Sequence, residues 1–262
     1  MIPQLPFDLY LRAVCSFGKG GTHSRLMRDA CQRPLTVTEK NAIEKVLAMR
    51  RSLSQRHDKI EVRDYGAGPG GHVLPKKGGN SPARIVSEIH ATSAIPRHWG
   101  KFLFRLIRAT NPKTVLELGT NLGVSACYIQ AALDLNGRGC TFVTIEGDPT
   151  LASIAEGSVA RVSSNLPKIV VGRFQDRLPQ VLQDLDSVDV VFIDGHHEHD
   201  AMIRYYETVK SHFSSDSCVV FDDLYLWNRS LRSAWEEILA GCPQPEVYDF
   251  AKLGILFTNG TQ

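Results

Sequence analysis

The sequence predicts an α/β fold built on a doubly wound, mostly parallel sheet. Three observations point to it. Short apolar runs alternate with helix-length amphipathic segments from residue 114 onward. The run 114–118 leads directly into a glycine turn, Gly119-Thr120-Asn121-Leu122-Gly123, that opens a helical pattern. Two later apolar runs end on acids, Asp194 and the pair Asp222-Asp223, at the carboxyl edge where such sheets meet their ligands.

Taken in order, Thr36 or Thr38 is placed to cap a helix from about 39 to 55, with Ile43, Val46, Leu47 and Met49 on its apolar side. Residues 66–71 and 76–82 have loop chemistry, rich in Gly and Pro. Both a flexible linker and a lid over an active site fit that composition. Residues 1–82 are therefore read as a helical and loop extension, and 83–262 as the main domain. Helical periodicity resumes from Ala83 through Ile89, then over 97–109 with Trp99, Phe102, Leu103 and Leu106.

Strands are expected near 114–118, 141–146, 168–172, 188–194 and 217–222. Helices are expected near 124–135, 150–165, 176–185, 200–213 and 229–240. Short connections between them imply right-handed crossovers. The last two apolar runs, 246–250 and 254–257, are separated by three residues, which suits a hairpin. The sheet is thus expected to have seven strands and to close antiparallel at its C-terminal end.

Composition narrows the class. A net charge of +2 on 262 residues argues against a nucleic-acid partner. No run reaches the length of a membrane span, and the N-terminus lacks the form of a secretory signal. The six cysteines form no Cys-x-x-Cys pair, and Cys127, Cys140 and Cys218 are read as reduced thiols in or beside the core. A cytoplasmic enzyme for a small molecule, with homo-oligomerisation left open, is the expectation.

The glycine turn is neither the dinucleotide fingerprint nor a phosphate loop. No lysine follows it, and Glu117 stands two residues before Gly119. A carboxylate there suits a cationic ligand. On these residues the chain resembles the class I S-adenosylmethionine-dependent methyltransferases, whose sheet is Rossmann-like. The resemblance covers roughly 83–257. It implies that Glu117, Gly119, Thr120, Asn121 and Gly123 hold the methionine part of the cofactor. It also implies that Glu146, beside Gly147, binds the ribose hydroxyls, two acceptors meeting two donors. Phe174, Gln175 and Asp194 complete the implied cofactor set, the first two at the adenine edge. Many relatives have an acid where this chain has Arg173.

Asp194, Asp222 and Asp223 bring three acids to adjacent strand ends, where they repel one another unless a cation or protons intervene. The motifs Asp194-Gly195-His196-His197 and Phe221-Asp222-Asp223 resemble metal-dependent small-molecule O-methyltransferases, closest to a tailoring-type branch. That resemblance implies Mg²⁺ held by Asp194, Asp222 and Asp223, with His197 as the base that takes a hydroxyl proton. Asp194 is counted with His197 as catalytic. Adjacent His196 and His197 are expected to diverge. Tyr225 and Trp227 are read as walls of a substrate pocket and Trp235 as core. Rival readings are a metal-independent N- or carboxyl-methyltransferase and a cofactor-binding relative without catalysis.

Overall fold

The structure is a computed structural model, describing residues 21–63, 65, 83–137, 139–225, 230–243 and 245–259. Nine described helices are α1 (Ser24–Gln32), α2 (Val37–Ser54), α3 (Val86–Ser93), α4 (Arg97–Thr110), α5 (Val124–Asn136), α6 (Pro149–Ala160), α7 (Phe174–Gln183), α8 (His199–Lys210) and α9 (Ser230–Ala240). The strands are β1 (Lys59–Glu61), β2 (Ala83–Ile85), β3 (Thr114–Leu118), β4 (Thr141–Glu146), β5 (Lys168–Val171), β6 (Val188–Ile193), β7 (Phe213–Phe221), β8 (Glu246–Asp249) and β9 (Gly254–Asn259).

The main sheet has seven strands in the order β5-β4-β3-β6-β7-β9-β8. The first five pair in parallel, whereas β9 runs antiparallel to both β7 and β8. The strand order reverses between β3 and β6, and a crevice opens at such a switch point. Alternation along each strand feeds two apolar layers. Val115, Val190 and Val220 pack with α1, α2, α4 and α5, while Leu116, Leu118, Ile193 and Phe221 pack with α7, α8 and α9.

Local chemistry sets the element ends. Thr36, not Thr38, caps α2, its hydroxyl accepting from Glu39 N–H while the Glu39 carboxylate accepts from Thr36 N–H. Asp148 caps α6, with Pro149 at its first turn. That helix stops at Ala160, short of the expected 165, where Ser163, Ser164 and Asn165 favour turn conformations. The helical pattern expected from Ala83 starts at Val86, because 83–85 pair antiparallel with 59–61 instead. The helix α1 was not expected from the sequence.

The N-terminal helices share the main core. Met27, Ala30, Ile43, Val46 and Met49 join the same apolar cluster as Val115 and Ile129. Glu39 accepts from Arg33 (2.5 Å) and from Arg108 of α4 (3.1 Å). Burial works to raise the Glu39 carboxyl, yet the bonds from Arg33, Thr36 and Arg108 outweigh it and hold it at about 2. His23 donates its backbone N–H to Glu246 Oε2 at 3.0 Å and stacks on Phe257, fastening α1 to the β8–β9 hairpin. The stretch read as a linker or lid, 66–82, lies outside the described residues, apart from the β1–β2 pairing that flanks it. Among the described residues, no helix is long and apolar enough to cross a membrane.

Candidate active site

The crevice begins at the turn after β3. Gly119 adopts a φ of +110°, and a Cβ there would lie 2.1 Å from Asp194 O. Gly123 has a φ of +79°, with Ala155 backbone 2.9 Å from where its Cβ would be. Both positions demand glycine sterically and conformationally. The ends of β3 and β6 therefore close on each other, with Asp194 N–H donating to Leu118 O at 2.9 Å.

Glu117 is fully buried in this turn. Thr144 Oγ1 donates to its Oε2 at 2.6 Å, and the Thr120 hydroxyl lies 2.6 Å from that of Thr144. Among the described residues, no hydrogen bond closes on Glu117 Oε1, nor on the buried Asn121 Oδ1. Burial pushes the Glu117 carboxyl up to about 7, against the hydroxyls of Ser125 and Thr144 that favour its charge. A cationic donor beside Oε1 would satisfy the orphaned atom and restore the anion.

Glu146 ends β4 with its carboxylate fixed by its own chain. Asn121 N–H donates to Oε2 (2.7 Å) and Asp148 N–H to Oε1 (2.9 Å). Burial raises this carboxyl as well. Each oxygen keeps a lone pair for a further donor. Tyr65, which the sequence reading did not single out, packs over Gly147, where a Cβ would lie 2.6 Å from its ring. It stands in a loop-like stretch with no local signal.

At the position expected from the sequence to meet adenine, Phe174 turns inward. Its ring packs on Gly195 and meets Tyr205 edge-on, centroids 5.5 Å apart. Gln175 is exposed at the start of α7. Arg173 is the N-cap residue there, with no side-chain capping bond.

The acidic end of the crevice joins β6 and β7. Ligating atoms of Asp194, His197 and Asp223 all lie within 4.8 Å of one another. Burial, then the charges of Asp222 and Asp223, raise the Asp194 carboxyl well above the usual range. Burial and the Asp223 charge bring Asp222 up to about 6. Asp222 is not in the group of ligating atoms, although its charge acts on Asp194. Its Oδ1 accepts from Lys252 Nζ at 2.7 Å and from Asp223 N–H at 2.7 Å. Lys252 Nζ also bonds Asp223 Oδ1. Nothing near the acidic pair in the sequence marks this lysine, which comes from the β8–β9 turn some thirty residues on.

The other histidines turn away from the cluster. His196 bonds Tyr205 Oη (2.6 Å) through Nδ1 and faces Glu198 (3.3 Å) through Nε2, while His199 faces Asp200 and Glu237. Trp235 is fully buried, as expected for a core residue. Tyr225 is 52% exposed with the Arg232 guanidinium over its ring, and Trp227 lies outside the described residues. Cys127 and Cys218 are free and buried, Cys140 free and half-buried.

Residues 116–224 match a family model described as a methyltransferase domain. The chain is 36% identical over 98 residues to a catechol O-methyltransferase of Niastella koreensis, covering 37% of this chain and 43% of that protein. It is 30% identical over 134 residues to the catechol O-methyltransferase of Bos taurus, covering 47% and 48% respectively. The chain thus spans under half the length of these curated relatives. An O-methyltransferase from Bacillus cereus, solved with S-adenosylhomocysteine, superposes with a TM-score of 0.55 at 17% identity, covering 87% of this chain and 93% of that one. The O-methyltransferase TomG of Streptomyces achromogenes, solved with S-adenosylmethionine, gives 0.56 at 23% identity, covering 64% and 82%. The fold is that of the class I S-adenosylmethionine-dependent methyltransferases.

Proposed function

We propose, on the premise of that class I fold, that this chain is an S-adenosylmethionine-dependent O-methyltransferase acting on a small-molecule hydroxyl. The observation that supports it most is the juxtaposition of two sites across one switch point. Glu117 and Glu146 flank the glycine turn, and Asp194, His197 and Asp223 converge beside it. S-adenosylmethionine supplies an electrophilic methyl group on a sulfonium. The unsatisfied Oε1 of Glu117 suits its ammonium, and the half-used oxygens of Glu146 suit a ribose diol. Gly119, Thr120, Asn121, Gly123, Gly147, Phe174, Gln175 and Asp194 complete the proposed cofactor contacts.

At the acidic end His197 takes the acceptor's hydroxyl proton, an imidazole being suited to that transfer near neutral pH. Asp194 orients the acceptor, and the residues mainly align an oxygen with the methyl. The carboxylates of Asp194 and Asp223 would hold a divalent ion such as Mg²⁺ beside His197, and such an ion would lower the pKa of a bound hydroxyl while the imidazole stays free to act as the base. Asp222, bonded to Lys252, lies outside that group. The catechol-directed relatives suggest an acceptor with neighbouring hydroxyls.

Calorimetric titration with S-adenosylhomocysteine, with Mg²⁺ and again after EDTA, tests the reading. Micromolar binding supports it, and a catechol assay with metal supplied then follows. No binding in either condition rejects it. Activity on an amine or carboxylate that survives EDTA would instead favour the metal-independent alternative.

A further inference from the structure

Lys252 is an unusual presence in a cluster read as a cation site. Its ammonium bonds Asp222 Oδ1 at 2.7 Å and also Asp223 Oδ1. It therefore engages two of the three acids that the motifs nominate for Mg²⁺. Asp223 belongs to both constellations, bonded to the lysine and converging with Asp194 and His197.

The lysine is held there by its backbone. Leu224 N–H donates to Lys252 O at 3.1 Å, tying the turn to the segment that carries both acids. Within the turn, Phe250 N–H donates to Leu253 O and Lys252 N–H to Phe250 O. Asp249 Oδ1 accepts from Ala251 N–H, while Asp249 Oδ2 pairs with Arg232 of α9. The side chain is only 27% exposed, so the ammonium exchanges the acids for water less readily than a surface lysine does.

Electrostatics then sets a conflict. A divalent ion entering among Asp194, His197 and Asp223 meets a fixed positive charge bonded to one of its own ligands. Like charges at that range in a partly dry site repel strongly. The same ammonium already gives Asp222 and Asp223 a countercharge.

We propose that Lys252 is a tethered cation that sets the divalent-ion affinity of this edge, withholding Asp222 from the ligand set and opposing ion entry at Asp223. The inference rests on the metal reading of Asp194 and Asp223, beside His197, given above. In consequence the site binds divalent ions weakly, and its acidic pair is organised without one.

The test is Mn²⁺ binding, followed by electron paramagnetic resonance and calorimetry at constant pH and ionic strength. Wild-type protein, Lys252→Met and Lys252→Arg are compared, each checked by circular dichroism. Lys252→Met is expected to bind Mn²⁺ at least about tenfold tighter than wild type. Lys252→Arg, which keeps the charge, is expected to bind no tighter than wild type. Equal affinity in Lys252→Met and wild type, or no measurable binding in either, overturns the proposal. So does tight binding by Lys252→Arg, which also serves if the methionine variant does not fold. S-adenosylhomocysteine affinity of the wild type is measured alongside. Its loss would reject the methyltransferase reading, a result separate from the manganese comparison.

Discussion

The two ends of the crevice handle buried carboxylates in opposite ways. At the proposed cofactor end, Glu117 takes a hydrogen bond from the Thr144 hydroxyl, itself paired with Thr120, and Glu146 takes two from backbone N–H groups. At the acidic end, Asp194, Asp222 and Asp223 crowd together, and a lysine from a distant hairpin supplies the compensation. The first arrangement needs only hydrogen-bond donors, because well-separated carboxylates do not require a countercharge. The second needs more, because crowded like charges do require one. A preformed, hydrogen-bonded end suits binding. A charge-crowded end suits chemistry, where cations and protons must exchange.

Substitutions at each end should therefore move different readouts. The largest expected effect is at the acidic end. His197→Ala should lower turnover by about 10²–10⁴-fold with S-adenosylhomocysteine affinity little changed, as steady-state kinetics and calorimetry would read. A near-normal rate would remove His197 as the base. At the cofactor end, Glu146→Ala should weaken S-adenosylhomocysteine by about ten- to a hundredfold, the usual worth of a charged hydrogen bond. Unchanged affinity would take it out of the site, and a loss confined to turnover would erase the contrast between the ends.

Glu39 offers a third case, a buried carboxylate compensated by two arginines far from the crevice. Its folded value of about 2 lies below the ordinary 4.5. Its contribution is thus fully present above about pH 4.5 and fades as pH falls toward 2. Glu39→Gln should cost about 1–3 kcal/mol at neutral pH, discounted because both arginines are partly exposed. Urea unfolding across that acid range should show the variant and wild type converging; a constant gap would contradict the account. The smallest effect belongs to Gln175→Ala at the exposed adenine edge, about two- to fivefold on S-adenosylhomocysteine affinity. No change at all there would restrict adenine recognition to Phe174 and the backbone.

Much of this was legible without coordinates. The five parallel strands, the closing hairpin and the helices between them follow from local apolar periodicity and turn residues, which act over a few positions. So does the delivery of Glu117, Glu146, Asp194 and Asp222 to one edge, since each lies at the end of an apolar run or one residue from it. The helix α1 and the β1–β2 pair were not legible. A short strand pairing across more than twenty residues leaves no periodic trace.

The sequence by itself determined the alternation of strands and helices, the closing hairpin and the delivery of Glu146, Asp194, Asp222 and Asp223 to strand ends. Only tertiary structure decided how their charges are shared. It turned His196 and His199 away and left His197 beside Asp194 and Asp223. It laid Tyr65 over Gly147 and brought Lys252 onto Asp222 and Asp223. The physical reason is one of range. Backbone preference is set by neighbours in the chain, whereas the partner of a buried charge is chosen by distance in space, and that depends on how distant segments pack.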